Sequence, residues 1–186
     1  YGAILKRHGK LKEAESLIRK AIELKPDFAD THSNLGNILR DLGKLKEAEL
    51  SIRKSIELNP DFANAHFNMG TIFKDHGNLK EAQKLYRKAI EINPDFASGH
   101  SNLGTILKDL GKLKEAELST RKAIEIKPDL ADAHLNLGSI LKDLGKLKES
   151  ELSTRKSIEL NPSFAEAHFN LGTLLKNLGK LQEAEL

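Results

Sequence analysis

The sequence predicts an all-α solenoid of antiparallel helix pairs, and three observations carry that prediction. The segment Ala97–Leu130, slid by 34 residues, falls on Ala131–Phe164 with 24 of 34 positions identical. Two residue types mark the same period: Gly36, Gly70, Gly104, Gly138 and Gly172, and Pro26, Pro60, Pro94, Pro128 and Pro162. Between those marks the apolar residues recur at helical spacing and share one arc when wound at about 100° per residue. A fixed period of this length marks stacked units, each burying its apolar face against its neighbours.

The 186 residues hold four whole units, 29–62, 63–96, 97–130 and 131–164, with a partial unit 1–28 before them and another, 165–186, after them. Together they read as a single array over residues 1–186, more than the roughly three repeats that such arrays need. Charged residues are 31% of the chain, interleaved in sign, and leave a net charge of +3. That balance, without a platform of stacking aromatics, speaks against a nucleic-acid binder. There is no cysteine, so disulfides are excluded and a reducing, cytoplasmic location is the expectation. No apolar run reaches the roughly 18 residues of a membrane span. The chain opens at Tyr1-Gly2, inside the first helix of a unit, and stops at Leu186, inside a second helix. With no initiator Met, signal peptide or polar capping helix, it reads as an excerpt of a longer protein.

Each unit divides into two helices, A and B. Asp27, Asp61, Asp95 and Asp129 follow the prolines, with Ser163 in the last unit, and are expected to cap helix A. Helix A then runs to about Leu42, His76, Leu110, Leu144 and Leu178. Gly43, Gly77, Gly111, Gly145 and Gly179 follow, suited to the left-handed residue that closes a helix. Helix B starts near each Leu-Lys-Glu triplet and ends before the next proline, which cannot continue it. Glu49–Arg53, Glu117–Arg121 and Glu151–Arg155 are i,i+4 pairs in the favourable order and are expected to be solvated support, about 0.2–0.5 kcal/mol each.

In the unit from Ala97, the residues His100, Leu103, Gly104, Ile106, Leu107 and Leu110 share the apolar arc of helix A. The glycine there admits a neighbouring helix at close range. Ser98, Asn102, Thr105 and Asp109 lie opposite, flanked by Ser101 and Lys108. In the unit from Ala63, His66, Met69-Gly70, Phe73, Ala82, Tyr86 and Pro94 resemble the tetratricopeptide repeat pattern W-x2-L-G-x2-Y…A-x3-F…P, with His in the Trp place. No unit carries the Trp, and Thr120 and Thr154 replace the second aromatic. The resemblance implies a right-handed superhelix whose concave groove is lined by the exposed side of helix A.

Rows of candidate peptide-binding residues follow from that placement. They are Asn34, Asn68, Asn102, Asn136 and Asn170; Asn37, Thr71, Thr105, Ser139 and Thr173; and Asp41, Asp75, Asp109 and Asp143, with Asn177 ending the last row. Arg40, Lys74, Lys108, Lys142 and Lys176 edge them. Asparagine in mid-helix is roughly 0.5 kcal/mol worse than alanine, so helix stability does not account for the row. Its amide offers a donor and an acceptor, matching one peptide unit. The row is similar to the asparagine ladder of the O-linked N-acetylglucosamine transferase repeats, which implies a grip on an extended polypeptide. The other reading is that duplication copied the amides and they meet only water or the next helix.

The histidines His32, His66, His100, His134 and His168 lie on the apolar arc. Stacked helices stand about 8–10 Å apart and zinc takes its nitrogens at about 2.0–2.1 Å. Parallel side chains do not converge on a metal at that spacing, so a packing role is expected and no metal. His8 and His76 stand at leucine positions near helix ends. A carboxylate clamp as in the chaperone-tail-binding members needs Lys or Arg before the Asn row. Here those positions hold Ser33, Phe67, Ser101, Leu135 and Phe169, which would make part of the groove apolar. Leu50, Leu118, Leu152 and Leu186 fall on the charged arc of helix B, either packed under the next unit or exposed and favouring self-association.

No nucleophile elbow, phosphate loop, cysteine or isolated acid pair is present, so neither an enzyme nor a cofactor is expected. The expectation is a non-catalytic interaction module binding a protein or peptide through the Asn row. Its rivals are a spacer or self-assembling scaffold, joined end to end or through the leucine row, and a substrate-recruiting segment of a larger transferase.

Overall fold

The computed structural model describes the backbone of residues 2–179 and the side chains of residues 9–179. Among them all regular structure is helical, in two compact units, Tyr1–Pro94 and Asp95–Leu186. The first unit holds α1 (Gly2–Leu24), α2 (Ala29–Asp41), α3 (Leu45–Leu58), α4 (Ala63–Asp75) and α5 (Leu79–Ile92). The second holds α6 (Ala97–Asp109), α7 (Leu113–Ile126), α8 (Ala131–Asp143), α9 (Leu147–Leu160) and α10 (Ala165–Asn177). The helix B expected for the last partial unit, with Leu186, lies outside the described residues.

Helices pair as the period requires: α2 with α3, α4 with α5, α6 with α7 and α8 with α9, each turned back by three residues. Gly43, Gly77, Gly111 and Gly145 sit there and Gly179 follows α10, all with φ between 74° and 77°. Gly43 N–H donates to the Arg40 carbonyl and Lys44 N–H to that of Leu39, the paired bonds that satisfy the last carbonyls of a helix. Within each unit every B helix packs on the next A helix, and successive A helices pack together, α2 on α4 and α6 on α8.

The hairpins close because helix A meets helix B at a glycine. A Cβ on Gly36 would strike Ile52, one on Gly70 would lie 2.9 Å from the Tyr86 ring, and those on Gly104 and Gly138 would strike the Thr120 and Thr154 hydroxyls. In the first unit Leu35, Leu39, Ala48, Ile52, Ala65, Met69 and Ile72 form one buried cluster, joined by the half-buried Ile56, Phe73 and Leu85. In the second, Leu103, Ile106, Leu107, Leu137, Ile140 and Leu141 are buried alongside Ala116, Ala123 and Ala133.

Three expectations are corrected. The aspartates do not cap helix A, whose N-cap is Phe28, Phe62, Phe96, Leu130 or Phe164, without a side-chain capping bond. Phe62 N–H donates to the Asn59 carbonyl, Leu130 N–H to that of Lys127 and Phe164 N–H to that of Asn161. The Pro-Asp and Pro-Ser pairs are thus the central residues of β-turns, and the helix begins one residue beyond reach of the acid. Next, α1 is a single helix running through Gly9 rather than a helix A broken from a helix B. Gly9 lacks the positive φ with which Gly43, Gly77, Gly111 and Gly145 turn the chain, so the helix continues through it.

The third correction concerns the Glu117–Arg121 pair, which is more than solvated support, whereas Glu49–Arg53 is the exposed pair within one helix that was expected. Glu117 binds Arg121 on its own helix at 2.9 Å and Lys146 of the next repeat at 2.9 Å, while Arg121 reaches Glu149 at 2.9 Å. The first unit repeats the pattern with Glu15, Arg19, Lys44 and Glu47. The Glu15 and Glu117 carboxyls are held below their ordinary 4.5, chiefly because Lys44 and Lys146 donate to them, with the arginines adding to this and burial opposing it.

Three outcomes follow. Gly104→Ala is expected to destabilise the second unit by about 1–3 kcal/mol through overpacking, with partial rescue by Thr120→Ala. Gly9→Ala is expected to stabilise by up to about 1 kcal/mol, because alanine is the better helix former; urea unfolding of the variants reads all three. Folding lowers the Glu117 pKa, so its stabilisation is full above the ordinary carboxylate range and is lost as pH falls through the depressed value. Glu117→Gln should therefore lower stability at neutral pH and flatten the loss that the parent shows below about pH 4.5, as measured by thermal unfolding against pH.

Candidate functional site

Helix A of each repeat is amphipathic, and packing A on A within a unit sets the polar sides of successive helices next to one another. In the second unit this gathers residues from α6, α8 and α10. Thr105, Lys108, Leu135, Asn136, Ser139, Ile140, Glu166 and Asn170 line a recess of about 110 Å³. Four of these, Thr105, Asn136, Ser139 and Asn170, belong to the rows expected from the sequence. Leu135 and Ile140 give it an apolar floor, at 4% and 0% exposure. Lys108 Nζ donates to Ser139 Oγ at 2.9 Å across the two repeats, and Glu166 of α10 also lines the recess.

The Asn row is not uniform. Asn34 is exposed, Asn102, Asn136 and Asn170 are half-buried, and Asn68 is buried at 8% exposure. Asn68 Nδ2 donates to Ser33 Oγ at 2.9 Å, and Asn136 Nδ2 donates to Ser101 Oγ at 3.1 Å. These amides link neighbouring A helices, so part of the row takes the role of holding hairpins together. Where the residue before the preceding Asn is Leu135 rather than serine, as for Asn170, no such partner exists. The period reveals the rows. It does not reveal that an amide reaches one residue back along the previous helix, which is why the serines were not seen as partners.

The second row divides likewise. Asn37, Thr105, Ser139 and Thr173 are half-buried, whereas Thr71 is buried at 9% exposure, its hydroxyl 3.1 Å from the Phe67 carbonyl and 3.2 Å from the Tyr86 hydroxyl. Asp41, Asp75, Asp109 and Asp143 are exposed at the ends of their A helices, and Asp41 pairs with Arg40 at 3.1 Å. The apolar groove lining expected before the Asn row is only partly realised. Ser33, Ser101 and Leu135 are buried, and Phe67 packs on Tyr86 with ring centroids 5.4 Å apart. Phe169 is exposed.

The histidines have a role that the sequence reading did not find. The Nε2 atoms of His32, His66, His134 and His168 lie 2.7, 2.7, 2.9 and 2.9 Å from the carbonyls of Pro26, Pro60, Pro128 and Pro162. Each ring donates six residues back and ties helix A to the turn that delivers it. A recurring His six residues after a recurring Pro was the available signal. Of the two readings left open for the leucine row, exposure holds for Leu50, Leu118 and Leu152, which show 68%, 71% and 70% of their surface, while Leu186 lies outside the described residues. No helix among the described residues is long and apolar enough to cross a membrane.

Known proteins place this architecture. The solved structure of YrrB, described as a TPR protein with an unusual peptide-binding site, is 26% identical, with a TM-score of 0.70 over 90% of this chain and 86% of its own. PilF of Pseudomonas aeruginosa is 24% identical, with a TM-score of 0.79 over 84% of this chain and 72% of its own. The Cut9–Hcn1 structure, from an APC/C hetero-tetramer, matches with a TM-score of 0.85 at 18% identity, over 95% of this chain but 35% of its own. No curated protein sequence matches. Tetratricopeptide repeat models match residues 1–28, 29–62, 52–84, 131–164 and 154–185, and a TPR repeat model matches 70–111 and 104–145. With helical hairpins at the 34-residue period and these matches running the length of the sequence, the chain belongs to the tetratricopeptide repeat family.

Proposed function

We propose that this protein is a non-catalytic interaction module that holds an extended peptide against the polar side of its A helices. The Asn row supplies the main-chain contacts, with the α6–α8–α10 face of the second unit as the principal site. The observation that carries the reading is the recess at that face, where two asparagines, a threonine and a serine from three successive repeats meet over an apolar floor. Asn102 and Asn170 keep partly exposed amides, and Asn136 has its Oδ1 left to accept a peptide N–H after its Nδ2 is engaged with Ser101. A peptide amide needs one donor and one acceptor at each contact, and this face offers both. Thr105, Ser139 and Thr173 add hydroxyls, and Asp109 and Asp143 give the ends of the A helices an acidic edge that suits a basic side chain.

In the first unit the same rows contribute less. Asn68 and Thr71 are engaged inside the protein, which leaves Asn34, Asn37, Asp41 and Asp75 toward solvent. The peptide-binding description of YrrB, over most of this chain's length, is in keeping with this reading. A cytoplasmic location and recruitment of substrates to an attached transferase are compatible with it.

Fluorescence anisotropy with a panel of labelled, unstructured peptides tests it. The parent is expected to bind, and Asn102→Ala/Asn136→Ala/Asn170→Ala to lose affinity by roughly tenfold or more, since each net hydrogen bond contributes about 1 kcal/mol. Helicity by circular dichroism should stay unchanged. Equal affinity of parent and triple variant, or no peptide bound by the parent, overturns the proposal.

A further inference from the structure

The recess on α6, α8 and α10 has room for one side chain rather than for a length of chain. Its volume is about 110 Å³. For comparison, an apolar cavity of about 150 Å³ takes up a benzene ring. Which side chain it suits follows from the hydrogen-bonding groups that its walls still have free.

Much of the donor capacity is spent inside the protein. Lys108 Nζ donates to Ser139 Oγ at 2.9 Å, Asn136 Nδ2 donates to Ser101 Oγ at 3.1 Å, and the Thr105 hydroxyl is directed at the Ser101 carbonyl at 3.4 Å. The acceptors are not spent. Thr105 Oγ1 keeps a lone pair, and Asn136 and Asn170 keep their Oδ1 atoms. The Glu166 carboxylate, which can only accept, forms no ion pair among the described residues.

Glu166 is exposed, in the first turn of α10. The same place holds Asp30 in α2, Asn64 in α4, Ser98 in α6 and Asp132 in α8. The helix dipole favours an acid there in any helix, so its presence alone assigns nothing. What sets Glu166 apart is that, of these residues, it alone lines the recess. Lys108 comes from α6 and Glu166 from α10, and α8 packs on both and supplies the floor of Leu135 and Ile140. Lys108 is bonded to a neutral hydroxyl and leaves the Glu166 charge uncompensated.

A side chain entering the recess therefore meets acceptors and a carboxylate over an apolar floor. Lysine and arginine have the matching form, an apolar stem under a cationic head. An acidic side chain would set a second carboxylate beside Glu166, and an aliphatic one would leave the acceptors without protons. We propose that the peptide held by the A helices of the second unit carries a basic residue whose side chain enters this recess, its methylenes over Leu135 and Ile140 and its head at Glu166. This assignment rests on the peptide-binding reading above and narrows it from any extended chain to one with lysine or arginine at a set position. The Asn row holds the main chain, and Glu166 selects the side chain.

Fluorescence anisotropy at low salt tests it, with a labelled host peptide of glycine, serine and alanine carrying one central lysine. The same peptide with methionine, alanine or glutamate at that place is the comparison; methionine keeps an unbranched stem and lacks the charge. The parent is expected to bind the lysine peptide roughly tenfold more tightly than the methionine one, since hydrogen bonds to charged groups exceed neutral ones by about that factor. The glutamate peptide should bind most weakly, and the preference should shrink as salt rises. Glu166→Gln should bring the lysine peptide down to the methionine level without changing the latter, and Glu166→Lys should favour the glutamate peptide. Asp132→Asn removes an equal charge outside the recess and should keep the preference; circular dichroism checks the fold of each variant. A parent that binds all the peptides equally overturns the assignment and leaves the Asn-row reading standing. A lysine preference that survives Glu166→Gln, or that Asp132→Asn removes as fully, also overturns the assignment alone. A parent that binds no peptide overturns the peptide-binding reading and this assignment with it.

Discussion

The fold depends on how closely helix A can approach helix B within a hairpin. Gly36, Gly70, Gly104 and Gly138 each face a side chain on helix B, Ile52, Tyr86, Thr120 and Thr154, at distances a Cβ would make impossible. With that contact made, the apolar arcs of the two helices close on each other and on the next repeat. The side chain opposite the glycine then varies without loss of the hairpin. Tyr86 fills its place completely and reaches Phe67 and the Thr71 hydroxyl, whereas Thr120 is buried with its hydroxyl unpartnered and Thr154 gives its hydroxyl to the Ser150 carbonyl. A buried hydroxyl without a partner is destabilising by about 1–3 kcal/mol. The Thr120 hairpin therefore relies more heavily on the contacts between repeats.

Beside the apolar packing, those contacts include polar bonds that follow the same period as the core. An amide–hydroxyl bond joins A helices at Asn68–Ser33 and Asn136–Ser101. An imidazole–carbonyl bond anchors His32, His66, His134 and His168 to their turns. A four-membered charge network ties Glu117 and Arg121 to Lys146 and Glu149. Isolated surface ion pairs contribute little. Here the Glu117 side chain is only 13% exposed and receives two cations, so the network fixes the register of successive hairpins rather than decorating them.

Departures from the repeat shape the recesses on its surface. The A-helix recess combines row residues with Lys108 and Glu166, and the repeat 63–96 lines its cleft of about 560 Å³ with Met69, Phe73 and Leu85. Duplication supplies the frame, and single substitutions within it change which side chains line its recesses.

The sequence alone determined the helices, their pairing and the closing glycines, because a period of 34 with apolar residues on one arc admits no other economical burial. It also determined which glycines admit a neighbouring helix, and that Leu118 and Leu152 lie on a polar arc. Tertiary structure decided which side chains of a row remain open. Asn68 and Asn170 are equivalent by period, yet one is sealed on Ser33 and the other borders a recess, since the neighbour an amide meets belongs to another repeat and another row. It likewise decided that the aspartates after proline sit within β-turns and that α1 runs straight through Gly9. Both outcomes turn on where backbone hydrogen bonds close, which a one-dimensional pattern locates only to within a residue or two.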